Sequence, residues 1–499
     1  MRDATAPSLP AVDQSRLLLE SARQHLAQQR PQEAAKVYAA LLALEPECVE
    51  ALGQLGFLLF SFKLYPESLL CLERAVPLAP TLPKLNLLMG VVLRMLGRFE
   101  ESSACCLREI QISPADADAH YHLGLAWQSL HRPLEAVESY QLALILRPNY
   151  LDAVMGLGMV LRQTGDHLAA LEPFERAVAL DPANAEAHWE LATGLLSLGR
   201  FQRGWQEYEW RWQLKNRTTP PPCFEQPLWD GKDLGGRPIL LHCEQGFGDT
   251  IQFSRYAALV AARNGTVILG CPESLRPIME TVSGVARVVT SRQAHPPFAV
   301  HAPLVSLPAI FGTTVETVPR QIPYLRVPAP KPSSPPWVND SPGLKVGLVW
   351  AAESGSGNAQ VRSLSLDFCV PLLHLPRIQW YSLQVGRVAD ELAKPAFAGR
   401  IAGLGHRFAD FGDTARAIAE LDLVISVDTC VAHLAGALGK PVWTLLPFEV
   451  DWRWMIGRAD SPWYPTMRLF RQTKRGDWPS VIAQVEVALR DPSNLAPNH

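Results

Sequence analysis

Pro46, Pro80, Pro114, Pro148 and Pro182 follow one another at intervals of 34 residues. A fixed period of this length restricts the fold more than composition can. Each unit must be one supersecondary piece too small to bury its own apolar face, so successive units have to stack. Ten residues after the prolines stand Gly56, Gly90, Gly124, Gly158 and Ala192, and twelve residues before them Ala34, Ser68, Ser102, Ala136 and Ala170. Proline ends a helix, and small residues at fixed places let the two helices of a unit approach closely.

This pattern resembles tetratricopeptide repeats, with five full units and an atypical sixth over residues 15–216, after an N-terminal stretch 1–14 expected to be flexible. In the sixth unit Gly204 takes the small position, and Trp205, Tyr208, Trp210 and Trp212 replace an ordinary second helix. The cluster reads either as a cap over the open end of the array or as a helix that packs onto the next domain. The inner helices offer Gly53/Gln54, Leu87/Leu88, Tyr121/His122, Met155/Gly156 and Trp189/Glu190, a groove for a protein or peptide without an asparagine ladder. His122, Cys105 and Cys106 read as ordinary helix positions within repeats.

A net charge of −3 points to neither nucleic acid nor an anionic membrane as partner. The nine cysteines are scattered without a C-x-x-C pair or zinc-ligand spacing, so a reducing compartment and no metal are expected. The first residues lack a signal-peptide pattern and no apolar run reaches the roughly 20 residues that span a bilayer, which gives a cytoplasmic expectation.

A Pro- and Gly-rich linker (217–237) ends the helical period. Strand-like runs then alternate with helical ones: PILLHC and TVILGC in a first lobe (238–330), then LKVGLVWA, IQWYSLQV, LDLVISV and PVWTLLP in a second (344–492), with a Pro/Ser-rich linker (331–343) between them. Strands alternating with helices predict parallel sheets, hence an all-α solenoid followed by two Rossmann-like α/β lobes. Two polar corners lie where strands end. In SVDTCVAHLAGALGKPVW, Asp428 and Thr429 open a helix and His433 follows one turn later; in LLHCEQGFGDT, Gly246 and Gly248 loosen a turn before Asp249 and Thr250. Such corners hold phosphate at helix amino-termini, although Asp428 and Thr429 also read as plain caps. Neither corner is a G-x-G-x-x-G or a P-loop.

Taken together, GFGDTIQF, DTCVAHLAGALGKPVW and the aromatic run LLPFEVDWRWMIGRADSPWYPTMRLFRQ resemble heptosyltransferase-like bacterial glycosyltransferases, in particular the members that carry tetratricopeptide repeats. The resemblance covers about residues 205–490 and implies a GT-B fold and an inverting, metal-independent transfer from a nucleotide-diphosphate sugar, with no cofactor beyond that co-substrate. It implies Asp249 as the general base and Asp428, Thr429, Cys430 and His433 as the donor-binding loop, with Arg362 as a phosphate contact. Gln384 and Gly386 border the nucleotide base or form a structural turn. Glu244 and Gln245 shape the acceptor pocket, with Gly246, Gly248 and Thr250, or cap the loop. Trp452 and Trp454 stack on a base or sugar or belong to the core, and Asp451 and Arg453 pair with one another instead of touching ligand. The loop AAESGSGNAQVRS carries one cation, Arg362, where relatives have a basic Gly-Asn-Pro-like turn. Three functions are expected: transfer to a protein Ser/Thr hydroxyl guided by the repeats, a non-catalytic repeat scaffold that binds nucleotide sugar, or transfer to a lipopolysaccharide-type glycan.

Overall fold

The computed structural model describes residues 11–216, 220, 223–290, 295–330, 335–352 and 358–491. Most of the expected flexible start, parts of both linkers and the middle of the 352–362 loop lie outside the described residues. The chain divides into two compact units, one reaching to Ala187 and one beginning at His188. The atypical sixth repeat is therefore part of the second unit.

The first unit is built from helices of ten to seventeen residues, from Ala11–Ala27 to Leu171–Leu180. The periodic positions explain how they pack. Ala34, Ser68, Ser102, Ala136 and Ala170 are all buried. The Ser68 and Ser102 hydroxyls donate to the carbonyls of Gly56 (2.6 Å) and Gly90 (2.7 Å), so the small position also ties the two helices together. A Cβ on Gly56, Gly90, Gly124 or Gly158 would stand 3.1, 3.1, 2.7 and 2.6 Å from Leu72, Cys106, Tyr140 and Phe174 in turn. Those four contacts are themselves spaced by 34 residues. Each glycine makes room for the bulky residue of the helix that follows it. Cys105 and Cys106 are buried core residues, and burial pushes the Cys106 thiol up to about 12.

The second unit holds two sheets whose paired strands are all parallel. In the first, β1 (Pro238–His242), β2 (Thr266–Cys271), β3 (Val285–Thr290) and β4 (Val300–Pro303) take the order β3-β2-β1-β4. In the second, β5 (Leu344–Val349), β6 (Ile378–Ser382), β7 (Ile401–Gly403), β8 (Leu423–Val427), β9 (Val442–Leu446) and β10 (Met467–Arg471) take the order β10-β9-β8-β5-β6-β7. Counted from its own first strand, that is 3-2-1-4-5-6, the dinucleotide-fold order. β8 and β9 are buried along their whole length because both faces are covered, which is why they read as unbroken apolar runs.

Beside a cluster built around Val346, Trp350, Trp443 and Val481, one apolar core cluster of this unit spans both sheets. It joins Phe201, Trp205 and Tyr208 of the sixth repeat to Phe253, Trp452 and Trp463, with the Trp205 and Trp452 rings edge to face at 5.2 Å. Trp205 and Tyr208 are thus neither exposed nor part of a solvent-facing cap, while Trp210 and Trp212 are half-buried.

Gly158→Val tests the packing of the repeats. The added atoms would start 2.6 Å from Phe174. Overpacking of a filled core costs about 1–3 kcal/mol. Urea unfolding followed by circular dichroism should therefore show the helical transition of this variant at lower denaturant than in the parent.

Candidate functional site

In each sheet the strand order reverses direction at one place, between β1 and β4 and between β5 and β8. Open parallel sheets bind ligands beyond the carboxyl ends of strands at such switch points. β1 runs out into Cys243–Asp249, β8 into Asp428 and Thr429, and β5 into Trp350 and Ala351. The two corners meet. A Cβ on Gly248 would lie 2.9 Å from His433 Cδ2 and 3.7 Å from the Cys430 Cα, so the helices Phe247–Ser254 and Cys430–Ala437 touch only because residue 248 has no side chain.

At the first corner the Asp249 carboxylate accepts from the Gly246 amide at 3.0 Å, closing the helix start. Its other oxygen is held by Arg453. Arg453 also donates to Asp451 (2.8 Å) and to Gln245 (3.3 Å), and lies 4.2 Å over the Trp452 ring. Burial opposes a charge here, but Asp249 and Asp451 outweigh it and hold the guanidinium well above its ordinary value. Glu244 is buried against Arg211 (2.8 Å), which also bonds Ser306 (2.8 Å) and Glu209 (2.6 Å). Desolvation pushes Glu244 up to about 7 despite that partner, and its Oε2 is buried without a hydrogen bond. Gln245 also exchanges contacts with the Tyr208 hydroxyl, at 3.2 and 3.4 Å.

At the second corner Thr429 caps its helix, accepting from the Val431 amide at 3.3 Å and bonding Ser426 at 2.9 Å. Arg362 lies 3.5 Å from the Asp428 carboxylate and donates to its carbonyl at 3.3 Å. Burial first, and Asp451 second, push Asp428 up to about 6. The Trp454 indole N–H favours the charged carboxylate without reaching hydrogen-bond geometry. His433 bonds the Tyr464 hydroxyl through Nδ1 at 2.9 Å and stacks on Trp454 with ring centres 5.0 Å apart. Burial, then Arg453, Arg255 and Arg362, keep its imidazole neutral well below the usual value. The Tyr324 hydroxyl already donates to Ile251 and accepts from Arg255, each at 3.0 Å. The Tyr464 hydroxyl and Nδ1 share one hydrogen, on the side set by the imidazole tautomer, and Nε2 is the nitrogen that faces Gly248. Tyr464 comes this close because the Cβ that Gly436 lacks would fall 2.5 Å from its ring.

Several expected roles change. Gln384 is buried, and its amide accepts from the Trp350 and Ala351 amides (3.3 and 3.1 Å) and donates to the Ala351 and Val385 carbonyls (3.1 and 3.3 Å). It braces the end of β5 rather than facing a nucleotide. Trp452 and Trp454 are core residues, so neither ring face is open to a base or sugar. Thr250 is buried and returns its hydroxyl to the Gly246 carbonyl at 3.2 Å. Cys430 has its thiol pushed up to about 11 by burial, which leaves it no thiolate chemistry near neutral pH. Gly386, with φ of 75°, marks a turn. The Asp451–Arg453 pairing is present, but the bond from Arg453 to Asp249 was not read from the sequence. Nor were Arg211, Arg255, Tyr324 and Tyr464. A signal existed for two of these: EWRW (209–212) and DWRW (451–454) are the same acid-Trp-Arg-Trp pattern.

Among the described residues no group of three or more His, Cys, Asp or Glu is placed to hold a metal ion, and no helix is long and apolar enough to cross a membrane.

A family model described as tetratricopeptide repeat matches residues 19–83, 128–185 and 155–209. The chain is thus a tetratricopeptide-repeat solenoid followed by an α/β region with parallel sheets. Protein FlbA of Caulobacter vibrioides is 28% identical over 333 residues, 60% of this chain and 54% of that protein. The chain therefore spans about half the length of the curated relative it matches. Similar solved structures include the MamA RS-1 ArsTM double mutant (24% identity, 34% of this chain and 96% of that one, TM-score 0.33). A crystal structure of MamA is another (22% identity, 33% and 96%, TM-score 0.31).

Glu244 gives a pH test. Its folded value, about 7, lies above its ordinary 4.5. The stability tied to the protonated form is thus fully present below the ordinary value and is lost as pH rises through about 7. The stability of the parent relative to Glu244→Gln should fall between pH 5 and 8, measured by urea unfolding at each pH. A pH-independent difference would contradict the assignment.

Proposed function

We propose that the α/β unit is a GT-B glycosyltransferase acting on a nucleotide-diphosphate sugar, and that the repeats present a protein Ser or Thr hydroxyl to it. The observation that carries this reading is the meeting of two switch-point corners, one bearing the carboxylate of Asp249 and the other Asp428, Thr429 and the start of an eight-residue helix beside Arg362.

The chemistry follows from those groups. The acceptor oxygen bonds to the anomeric carbon while the bond from that carbon to the diphosphate oxygen breaks, and the sugar inverts. The hydroxyl proton passes to Asp249, and the nucleoside diphosphate leaves with the electron pair. The leaving charge is met by Arg362 and the amides at the start of the helix Cys430–Ala437, so the reading requires no metal. Asp428, raised by burial, orients the Arg362 guanidinium and the ribose or sugar hydroxyls rather than facing phosphate. A reducing cytoplasm fits nine unpaired cysteines.

One observation favours a second reading. The candidate base is tied to Arg453, as a non-catalytic scaffold that only binds nucleotide sugar could keep it permanently.

A thermal-shift panel of UDP, GDP, ADP, CDP and dTDP, each alone and as sugar conjugates, separates these outcomes. A ligand at a hundred times its Kd adds about 2.7 kcal/mol. The transferase reading expects one base to give a shift that Arg362→Ala and Asp428→Ala lose, and expects Asp249→Asn to bind that donor but transfer no sugar. Binding without turnover on any acceptor selects the scaffold, and no shift with any nucleotide removes both.

A further inference from the structure

We propose that Arg453 is a latch: in the empty cleft it occupies the candidate base Asp249, and an arriving donor diphosphate draws it away and so frees the base. This rests on the transferase reading above and adds an order to it, donor before acceptor.

Three observations carry it. First, the ion pair closes the site that the reaction needs. The Asp249 and Arg453 side chains are only 18% and 10% exposed while bonded to each other, so an acceptor hydroxyl cannot reach the carboxylate oxygen that the guanidinium holds. Second, Arg453 is anchored independently of Asp249. One edge of its guanidinium is bonded to Asp451 at 2.8 Å, the Asp451 carboxylate also accepts from the Arg453 amide at 3.0 Å, and the guanidinium carbon lies 4.2 Å over the Trp452 ring. The other edge, which reaches Asp249 and Gln245, can therefore be given up without leaving the charge buried and alone. Third, the position is central. Arg453 shifts His433 by its charge, and Asp428, paired with Arg362, also feels it. Arg362 and Arg453 are thus both cationic groups whose charge reaches the Asp428 corner, and the carboxylates paired with them are Asp428, Asp451 and Asp249.

A planar guanidinium binds phosphate oxygens through the same paired donors that it uses for a carboxylate, so exchange from Asp249 to diphosphate keeps its hydrogen bonds. The base is exposed only when the leaving group is in place.

The test is isothermal titration of the full chain with UDP, GDP, ADP, CDP and dTDP, using the parent, Asp249→Asn, Arg453→Gln and the double variant. Asn at 249 keeps the shape and the bond from the Gly246 amide but weakens the hold on Arg453. Removing a competing partner raises the fraction of competent sites, so this variant should bind the preferred nucleotide several-fold to about tenfold more tightly. Arg453→Gln should bind it at least about tenfold more weakly, and the double variant should match Arg453→Gln. Arg453→Lys, which keeps the charge, should recover part of the loss and guards against a folding defect. Tighter binding in Asp249→Asn that needs Arg453 supports the latch. If the parent binds a nucleotide and Asp249→Asn binds it equally or less well, the latch is overturned while the transferase reading stands. If the parent binds none, the transferase reading itself has failed.

Discussion

The second unit depends on one short loop being held from both sides by buried arginine–carboxylate pairs. Residues 244–249, EQGFGD, leave β1 with two acids that cannot be buried alone. Arg211 takes Glu244 and Arg453 takes Asp249. Both arginines come from an acid-Trp-Arg-Trp turn in 3-10 conformation, and each is first bonded to the acid of its own turn, Glu209 or Asp451. Breaking such a pair by removing one partner typically costs about 3–5 kcal/mol, whereas the intact pair contributes little net stability. The pairs therefore fix where the loop lies more than they strengthen the fold. Gln245, touching both Tyr208 and Arg453, links the two turns across the loop.

This arrangement explains why the end of the repeat pattern and the aromatic run near residue 450 belong together. Trp205, Tyr208 and Trp452 pack edge to face, and they join the two turns whose arginines hold the two ends of the loop 244–249. The sixth repeat has given up the ordinary second helix to do this. The helix Phe201–Tyr208 is short, and the chain turns at once into the EWRW turn. A repeat array that simply stopped would need a polar outer face instead.

How much of this could be read in the sequence differs by level. The 34-residue prolines and their small partners carry the solenoid because both are local and periodic. The runs PILLHC, TVILGC and LDLVISV carry strands because parallel sheets buried on both faces need unbroken apolar stretches. β3, β4, β7 and β10 were not read: β4 and β7 are short, VARVVT at β3 has its first half partly or fully exposed, and MRLFR at β10 carries two arginines inside the aromatic run. The corners at Asp249 and Asp428 were legible because caps and glycines cluster at strand ends. What joins them was not. The bond from Arg453 to Asp249 spans 204 residues, and no local rule distinguishes it from the pairing to Asp451 two residues away. Gln384 misled for a related reason: a glutamine at a strand end can face ligand or satisfy backbone, and only the position of Trp350 and Ala351 decides.

Charge is the last constraint. Three carboxylates, Asp249, Asp428 and Asp451, share the meeting place of the two corners with the guanidiniums of Arg362 and Arg453. With every carboxylate ionised the place carries an excess negative charge and would repel a diphosphate. Burial moves the balance by pushing Asp428 up to about 6, so that part of its population is neutral just below neutral pH. His433 adds no positive charge because burial and three arginines keep it neutral. On the proposed reading, a diphosphate draws on the amides at the start of the helix Cys430–Ala437 and on redistributing the two guanidiniums already present. Of these, Arg362 starts from a contact of 3.5 Å with Asp428, and Arg453 starts from a closer one with Asp249. On the proposed reading, the affinity of this cleft for a donor is set less by how many cations it has than by how firmly its own carboxylates hold them.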